Sequence, residues 1–411
     1  MKYLIYTYKR SFVVVFALII SCLARAEQHN APLPDDSVEV SLLTCSPHDV
    51  VYSLYGHTAL RYHDLRTGED WTFNYGVFNF NKPFFVLRFL FGLTDYELGV
   101  VPFRVFRAEY SRYGCAVTEQ VLNLTPEEKL RLRMALEENY KEENRVYRYN
   151  FIFDNCTTRS RDVVERNMGG EKVKYALQML EVPLEEDRNT YRKLLHSLTQ
   201  GHPWAEFGND LCLGLRADLR ISWREKQFLP LELMADVEGG RIIGGGGVRP
   251  LVRTTRYALE PGVQFVNQGF PLTPMQCFCL LLALSVAVAV VEMRRRKTFV
   301  LFDALLMTVV GVAGVLMGLL FFSEHPTTST NLQIFLLCPA TLFFIPSVVR
   351  RKSATYWKFS LIMLILFFLG AFWQDYAEGM EVLALCLLLR VCVNLYLAAQ
   401  GKNGKSKRQI K

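Results

Sequence analysis

Hydrophobic positions fall into two regimes along the chain. From about residue 272 they run almost unbroken, in five stretches near 273–293, 298–322, 332–349, 357–375 and 380–399. Each approaches the roughly 20 residues an α-helix needs to cross about 30 Å of hydrocarbon, so the pattern predicts five transmembrane helices. The connecting loops alternate in charge. Arg294-Arg295-Arg296-Lys297 follows the first stretch, Ser323–Asn331 after the second holds no Lys or Arg, Arg350-Arg351-Lys352 follows the third, and Asp375–Met380 after the fourth is acidic. Five of the ten residues 402–411 are Lys or Arg. Basic loops stay in the cytoplasm, so loops one and three and the C-terminus face inward, and everything before residue 272 faces outward. Arg390 falls near mid-bilayer and Asp303 near the inner end of the second stretch. Charges at that depth are either functional or form a structural pair between helices.

The first two thirds carry shorter, mixed periodicities. Lys2, Lys9 and Arg10, the apolar run Ser11–Ser21 and Ala24-Arg25-Ala26 read as a secretory signal over 1–26. A rival reading takes Ile19-Ile20-Ser21-Cys22 as a lipobox. Both export the rest of the chain. Residues 27–265 are expected to form a periplasmic domain, about 240 residues and enough for a full core. Residues 272–400 are the membrane domain and 401–411 a basic cytoplasmic tail. Val38–Leu43 alternates as a strand. Ser46-Pro47 reads as the start of a short helix ending before Gly56. His57–Asp64 and Asp70–Gly76 flank the turn Leu65–Gly68 as a hairpin. Thr125-Pro126-Glu127-Glu128 is a capping box opening a helix to about Glu143. Phe151–Phe153 reads as a short strand turning into a helix that begins near Cys156 and ends at Gly169-Gly170. Residues 77–91 hold Phe78, Phe80, Phe84, Phe85, Phe89 and Phe91, which pack as core or form an acyl-chain groove or membrane-facing lip. Gly244–Gly247 lacks a following Lys-Ser/Thr and reads as a flexible loop.

Composition sharpens this picture at two points. The net charge of +7 follows the membrane-flanking basic clusters, so it speaks for topology and against nucleic acid. Of ten cysteines, Cys277, Cys279, Cys338, Cys386 and Cys392 lie in apolar stretches and Cys22 in the leader. Cys45, Cys115, Cys156 and Cys212 remain for the outer domain. No CxxC pair occurs, and a Cys45–Cys115 disulfide suits an oxidising compartment without being fixed by spacing.

There is no HExxH, GxSxG, Walker A or GxGxxG motif, and the seven histidines show no metal-ligand spacing. No cofactor is expected. What remains is Asp154-Asn155-Cys156-Thr157-Thr158-Arg159, which sets a cysteine in the first turn of a helix. The helix N-terminus favours thiolate over thiol and offers free N–H groups to an oxyanion. Asp154, Asn155, Arg159 and Tyr55 are substrate or oxyanion candidates. For Arg159 the competing role is a salt bridge to Asp162. His57 opens an alternating strand after Gly56 and is the base candidate. If the hairpin turns at Leu65–Gly68, residues near 74–76 lie opposite 57–59. Asn74, or alternatively Tyr75, would then hold the imidazole as the third member of a triad.

The order His, Asn, then Cys at a helix start, 99 residues after His57, resembles the circularly permuted NlpC/P60 papain-like enzymes, including the lecithin:retinol acyltransferase-like branch. A closer resemblance rests on "LLTCSPHDVVYSLYGHTALRY", "FNYG", "YRYNFIFDNCTTRSRD" and "GHPWAEFGNDLCLGLRAD". These look like the Bacteroidetes family of lipoprotein N-acyltransferases called Lnb. The resemblance implies an α+β papain-type outer domain on an all-α membrane domain, in the bacterial inner membrane. It implies a phospholipid acyl donor, a diacylated lipoprotein acceptor and a Cys156 thioester formed with His57. The alternatives are a membrane-tethered cysteine amidase or peptidase of the cell wall, which would need only one anchor, and a non-catalytic sensor or binding module.

Overall fold

A computed structural model describes residues 37–79, 81–179, 189–264, 269–350 and 354–409, without the side chains of 401–409. The signal segment, Cys22 and most of the linker lie outside the described residues. The soluble domain is α+β. Its main sheet takes strands β1 (Val38–Cys45), β2 (His57–Asp64), β3 (Asp70–Val77), β4 (Asp95–Pro102), β5 (Val117–Leu122), β6 (Val146–Arg148) and, after a small satellite sheet, β10 (Val252–Leu259). The order across the sheet is β10-β5-β1-β2-β3-β4-β6, and every neighbouring pair is antiparallel. The satellite sheet is β7 (Lys172–Lys174), β8 (Arg241–Gly244) and β9 (Gly247–Pro250).

Alternation sorts the residues of β1 and β2 onto two covered faces. Val38, Val40, Leu42, Leu60 and Tyr62 pack against Leu132 and Leu136 of helix Pro126–Tyr140 and Val163 and Val164 of helix Cys156–Arg166. Leu43, Cys45 and Ala59 pack on the other face against Phe103 and Phe106 of helix Phe103–Arg112. The Thr125 capping box is formed, with Thr125 Oγ1 accepting from Glu128 N and Glu128 returning a carboxylate to Thr125 N.

Four local expectations need correction. Ser46 caps no helix: its hydroxyl accepts from Ala116 N at 3.0 Å, and only a 3-10 turn, Val51–Ser53, stands before Gly56. Phe151–Phe153 is a turn rather than a strand, because Asn150 Oδ1 gathers the amides of Ile152 and Phe153. Gly244 and Gly247 pair as the end of the β8–β9 hairpin. Cys45 and Cys115 are free thiols, as are all the described cysteines.

In the membrane domain Pro274–Arg295, Val300–Leu320 and Met380–Gln400 are long and apolar enough to cross a bilayer. Helix Thr355–Gly370 is shorter. The third apolar stretch is not one continuous span. It is a 3-10 turn, Leu332–Phe335, then helix Thr341–Val349 with Pro346 inside. Nine residues rise only about 14 Å, under half the hydrocarbon thickness. Arg390 is fully buried, with Nη1 and Nη2 on Glu292 and Nε on Asp303 at 2.7 Å. Asn394 Nδ2 takes the second Asp303 oxygen at 3.0 Å. This is an interhelical ion pair, with Glu292 a partner that hydropathy concealed.

The two domains are joined by a polar seam. Gly214 N donates to Thr327 O at 2.8 Å and Leu215 N to Thr330 O at 2.7 Å. The buried side chains of Asn331, Gln333 and Gln374 donate to the carbonyls of Leu211, Asp210 and Leu213.

Candidate active site

Cys156 is the first residue of helix Cys156–Arg166, and Asn155 is its N-cap. Asn155 Oδ1 accepts from Thr157 N and Thr158 N, both at 2.9 Å, and Thr158 Oγ1 closes a capping box on Asn155 N at 2.9 Å. Asn155 Nδ2 donates to Phe151 O and Phe228 O. This side chain is therefore saturated and has no donor left for a substrate. Among the described residues, the Cys156 amide is the first-turn N–H that this cap leaves without an acceptor.

His57 opens β2, and the β2–β3 register of Leu60↔Phe73 and Arg61↔Thr72 carries Gly76 opposite His57. Asn74 lies one pleat along the same face. Its Oδ1 is 2.7 Å from His57 Nε2. A carboxamide oxygen only accepts, so Nε2 carries the proton and Nδ1 is left for the sulfur. Tyr75 points to the opposite face, where it is buried and its hydroxyl accepts from Asn139 Nδ2 at 2.8 Å. A staple holds strand and helix together: the hydroxyls of Thr58 and Thr157 are hydrogen-bonded at 3.1 Å and buried.

Burial alone pushes the Cys156 thiol up. The charge and hydrogen bond of His57, the Thr58 amide and the Thr157 hydroxyl more than reverse it, and the pKa falls from 9.0 to about 7. Burial likewise pushes the His57 imidazole down, while Cys156, Asn74 and the charge of Glu109 carry it above its ordinary value. The two opposed shifts in one hydrogen-bonded pair favour proton transfer from the thiol to the imidazole, the arrangement a nucleophilic cysteine needs. His57 also stacks on Tyr110, with ring centroids 6.2 Å apart.

The remaining sequence candidates are engaged otherwise. Arg159 pairs with Asp154 through Nε at 2.6 Å and Nη2 at 2.7 Å, its guanidinium 3.6 Å above the Tyr147 ring. Asp162 instead takes Arg161 and Arg224, so the Arg159–Asp162 bridge is not formed. Tyr55 accepts from Asn209 Nδ2 at 2.6 Å. His196, Glu206 and Asp210 bring ligand atoms within 4.8 Å of one another. The Arg192 guanidinium already holds Asp210 at 2.7 Å, which makes this cluster an ion-pair node and a poor cation cradle. Sequence reasoning missed Gly76. A Cβ there would stand 2.5 Å from His57 Cε1 and 3.1 Å from Asn74 Oδ1. The hairpin register already set residues 74–76 opposite 57–59, but only the packed ring of His57 shows that position 76 has no room for a side chain.

Fold and site together define a membrane protein whose soluble α+β domain carries a cysteine–histidine–asparagine constellation. Residues 25–197 match the model of the Lnb N-terminal periplasmic domain and residues 266–402 that of the Lnb transmembrane domain. The chain belongs to the Lnb family, with its N-terminal domain in the periplasm. No curated protein and no solved structure matches it.

Proposed function

We propose that the protein is a lipoprotein N-acyltransferase of the inner membrane, with its C-terminus in the cytoplasm, working through a Cys156 thioester. The observation that carries this reading is the geometry: Cys156 in the first turn of a helix, hydrogen-bonded to a His57 that Asn74 orients, in a protein with a membrane domain. The Cys156 thiolate attacks the ester carbonyl of a phospholipid acyl chain. The Cys156 N–H meets the oxyanion of the tetrahedral intermediate. The C–O bond breaks, His57 gives its proton to the departing lysophospholipid oxygen, and a thioester remains. The α-amine of a diacylglyceryl-cysteine at a lipoprotein N-terminus then attacks. His57 takes the amine proton, the C–S bond breaks, and the amide and the thiolate are released. A thioester is reactive enough toward an amine that neither ATP nor metal enters the balance. The relation to permuted NlpC/P60 papain-like enzymes agrees with the chain order His57, Asn74, Cys156 and belongs to the same proposal.

The test feeds membranes a phospholipid bearing an alkyne-tagged acyl chain. A hydroxylamine-sensitive label on the protein, absent in Cys156→Ser, is expected. Mass spectrometry of a lipoprotein N-terminus should show the third chain only with active protein. Triacylated lipoprotein from Cys156→Ala and His57→Ala alike would remove the catalytic reading in favour of a binding module. Release of peptide fragments from peptidoglycan without acyl label would favour an amidase.

A further inference from the structure

The six-residue helix Phe85–Leu90 buries none of its residues fully. Phe84, Val86, Leu87 and Leu93 are exposed by 77%, 65%, 42% and 40%. So dense an apolar surface on one short element calls for an apolar neighbour. Its position says which. Ser323 Oγ donates to Leu90 O at 2.7 Å, Glu324 N to Phe91 O at 2.9 Å, and His325 Nε2 lies 2.9 Å from Phe89 O. Residues 323–325 directly follow helix Val300–Leu320, at its periplasmic end. Exposed aromatics follow this helix and helix Thr355–Gly370: Phe322 at 81% after the first, Phe372 at 81% and Trp373 at 66% after the second. Trp373 is of the ring type that marks the plane where hydrocarbon meets headgroups. Lys82 and Arg88 add cations suited to phosphate.

The opposite side of the segment turns inward as a ring of stacked aromatics. Phe85 meets Phe78 at 5.5 Å, Phe78 meets Tyr96 at 4.8 Å, Tyr96 meets Tyr149 at 4.0 Å, and Tyr149 meets Phe89 at 6.0 Å. Cys156, Phe78, Phe85 and Tyr149 all pack against the one buried core that includes Tyr96. Tyr96 and Tyr149 both lie within the field of the Cys156 thiolate. An apolar wall thus runs from membrane level to the sulfur.

We infer that residues 84–93 dip into the periplasmic leaflet of the membrane, and that the wall formed by Phe78, Phe85, Phe89, Tyr96 and Tyr149 guides a phospholipid acyl chain from that leaflet to Cys156. The membrane contact stands on the exposure and the anchoring. The guiding role rests on Cys156 being the acyl acceptor.

Two measurements on the full chain in phosphatidylethanolamine–phosphatidylglycerol vesicles test it. The first compares the added emission of Phe84→Trp with that of Tyr257→Trp on β10, whose ring is exposed by 56%. Lipids brominated high on the acyl chain should quench the former and spare the latter. Quenching of both by aqueous iodide, with no effect of bromine, overturns the membrane contact. The second follows acyl loading of Cys156 in Phe84→Glu/Val86→Glu. Loading from bilayer phospholipid should slow about tenfold or more, since two buried apolar side chains are worth at least that, while loading from a water-soluble short-chain ester persists. Equal loading of variant and wild type from the bilayer overturns the guiding role. Failure of wild type with both donors discards the acyl-acceptor reading and the guiding role with it, and the quenching result still decides the membrane contact.

Discussion

Reactivity at Cys156 is set by a handful of atoms. Burial and the His57 charge act in opposite directions on the thiol, and the second wins, leaving the pKa at about 7. The thiolate fraction therefore rises with pH through about 7. At neutral pH it is about 50-fold larger than for a thiol titrating near 9. Iodoacetamide labelling of Cys156, followed by mass spectrometry, should show that midpoint. In His57→Ala burial is unopposed by an imidazolium, and the midpoint should move above 9. Gly76→Ala should mimic loss of the base while leaving it in place, because the new methyl drives into the imidazole edge. We expect acyl loading to fall about 100-fold with the melting temperature little changed. His57 and Cys156 were legible in the sequence because a glycine before a strand histidine and an Asn-Cys before a helix are local signals. The competition for Asn155 was not legible. Only the fold brings the Phe151 and Phe228 carbonyls to its amide, turning a substrate candidate into a cap.

Element by element, the hairpin register and the Thr125 cap were legible because each is written in contiguous residues. The third membrane stretch was misread because hydropathy counts apolar residues and is blind to backbone breaks. Pro339 and Pro346 interrupt the amide supply, and Gly314 admits the broken backbone so closely that a Cβ would collide with Leu337 O. At this scale the helix behind Cys156 is the sensitive part. Asn155→Ala removes a cap and two buried hydrogen bonds and should cost about 2 kcal/mol. Thermal unfolding in detergent should register it. Thiol reactivity should fall as well, since the cap sets the first turn that presents the sulfur.

For the whole molecule, the decisive contacts are those that no single stretch of sequence announces. Arg390 joins three membrane helices by pairing with Glu292 and Asp303, all three side chains being fully buried. Arg390→Leu strands two carboxylates and should destabilise the protein by about 3–5 kcal/mol, seen as loss of folded protein on solubilisation and a lower melting temperature. Glu292 escaped notice because it abuts the basic loop at 294–297, where a lone acid looks like interface.

The Gly214–Leu215 seam to Thr327–Thr330 ties the soluble domain to the membrane domain. On the proposed reaction, a sulfur tethered in this way meets its lipid donor and its lipidated acceptor in the plane of the bilayer beneath it. Its turnover is then governed by how crowded that plane is with donor and acceptor, and the volume of the suspension drops out. Diluting the film with an inert amphiphile, total lipid unchanged, should slow the reaction in proportion, whereas diluting the vesicles in buffer should leave each one running at its former pace.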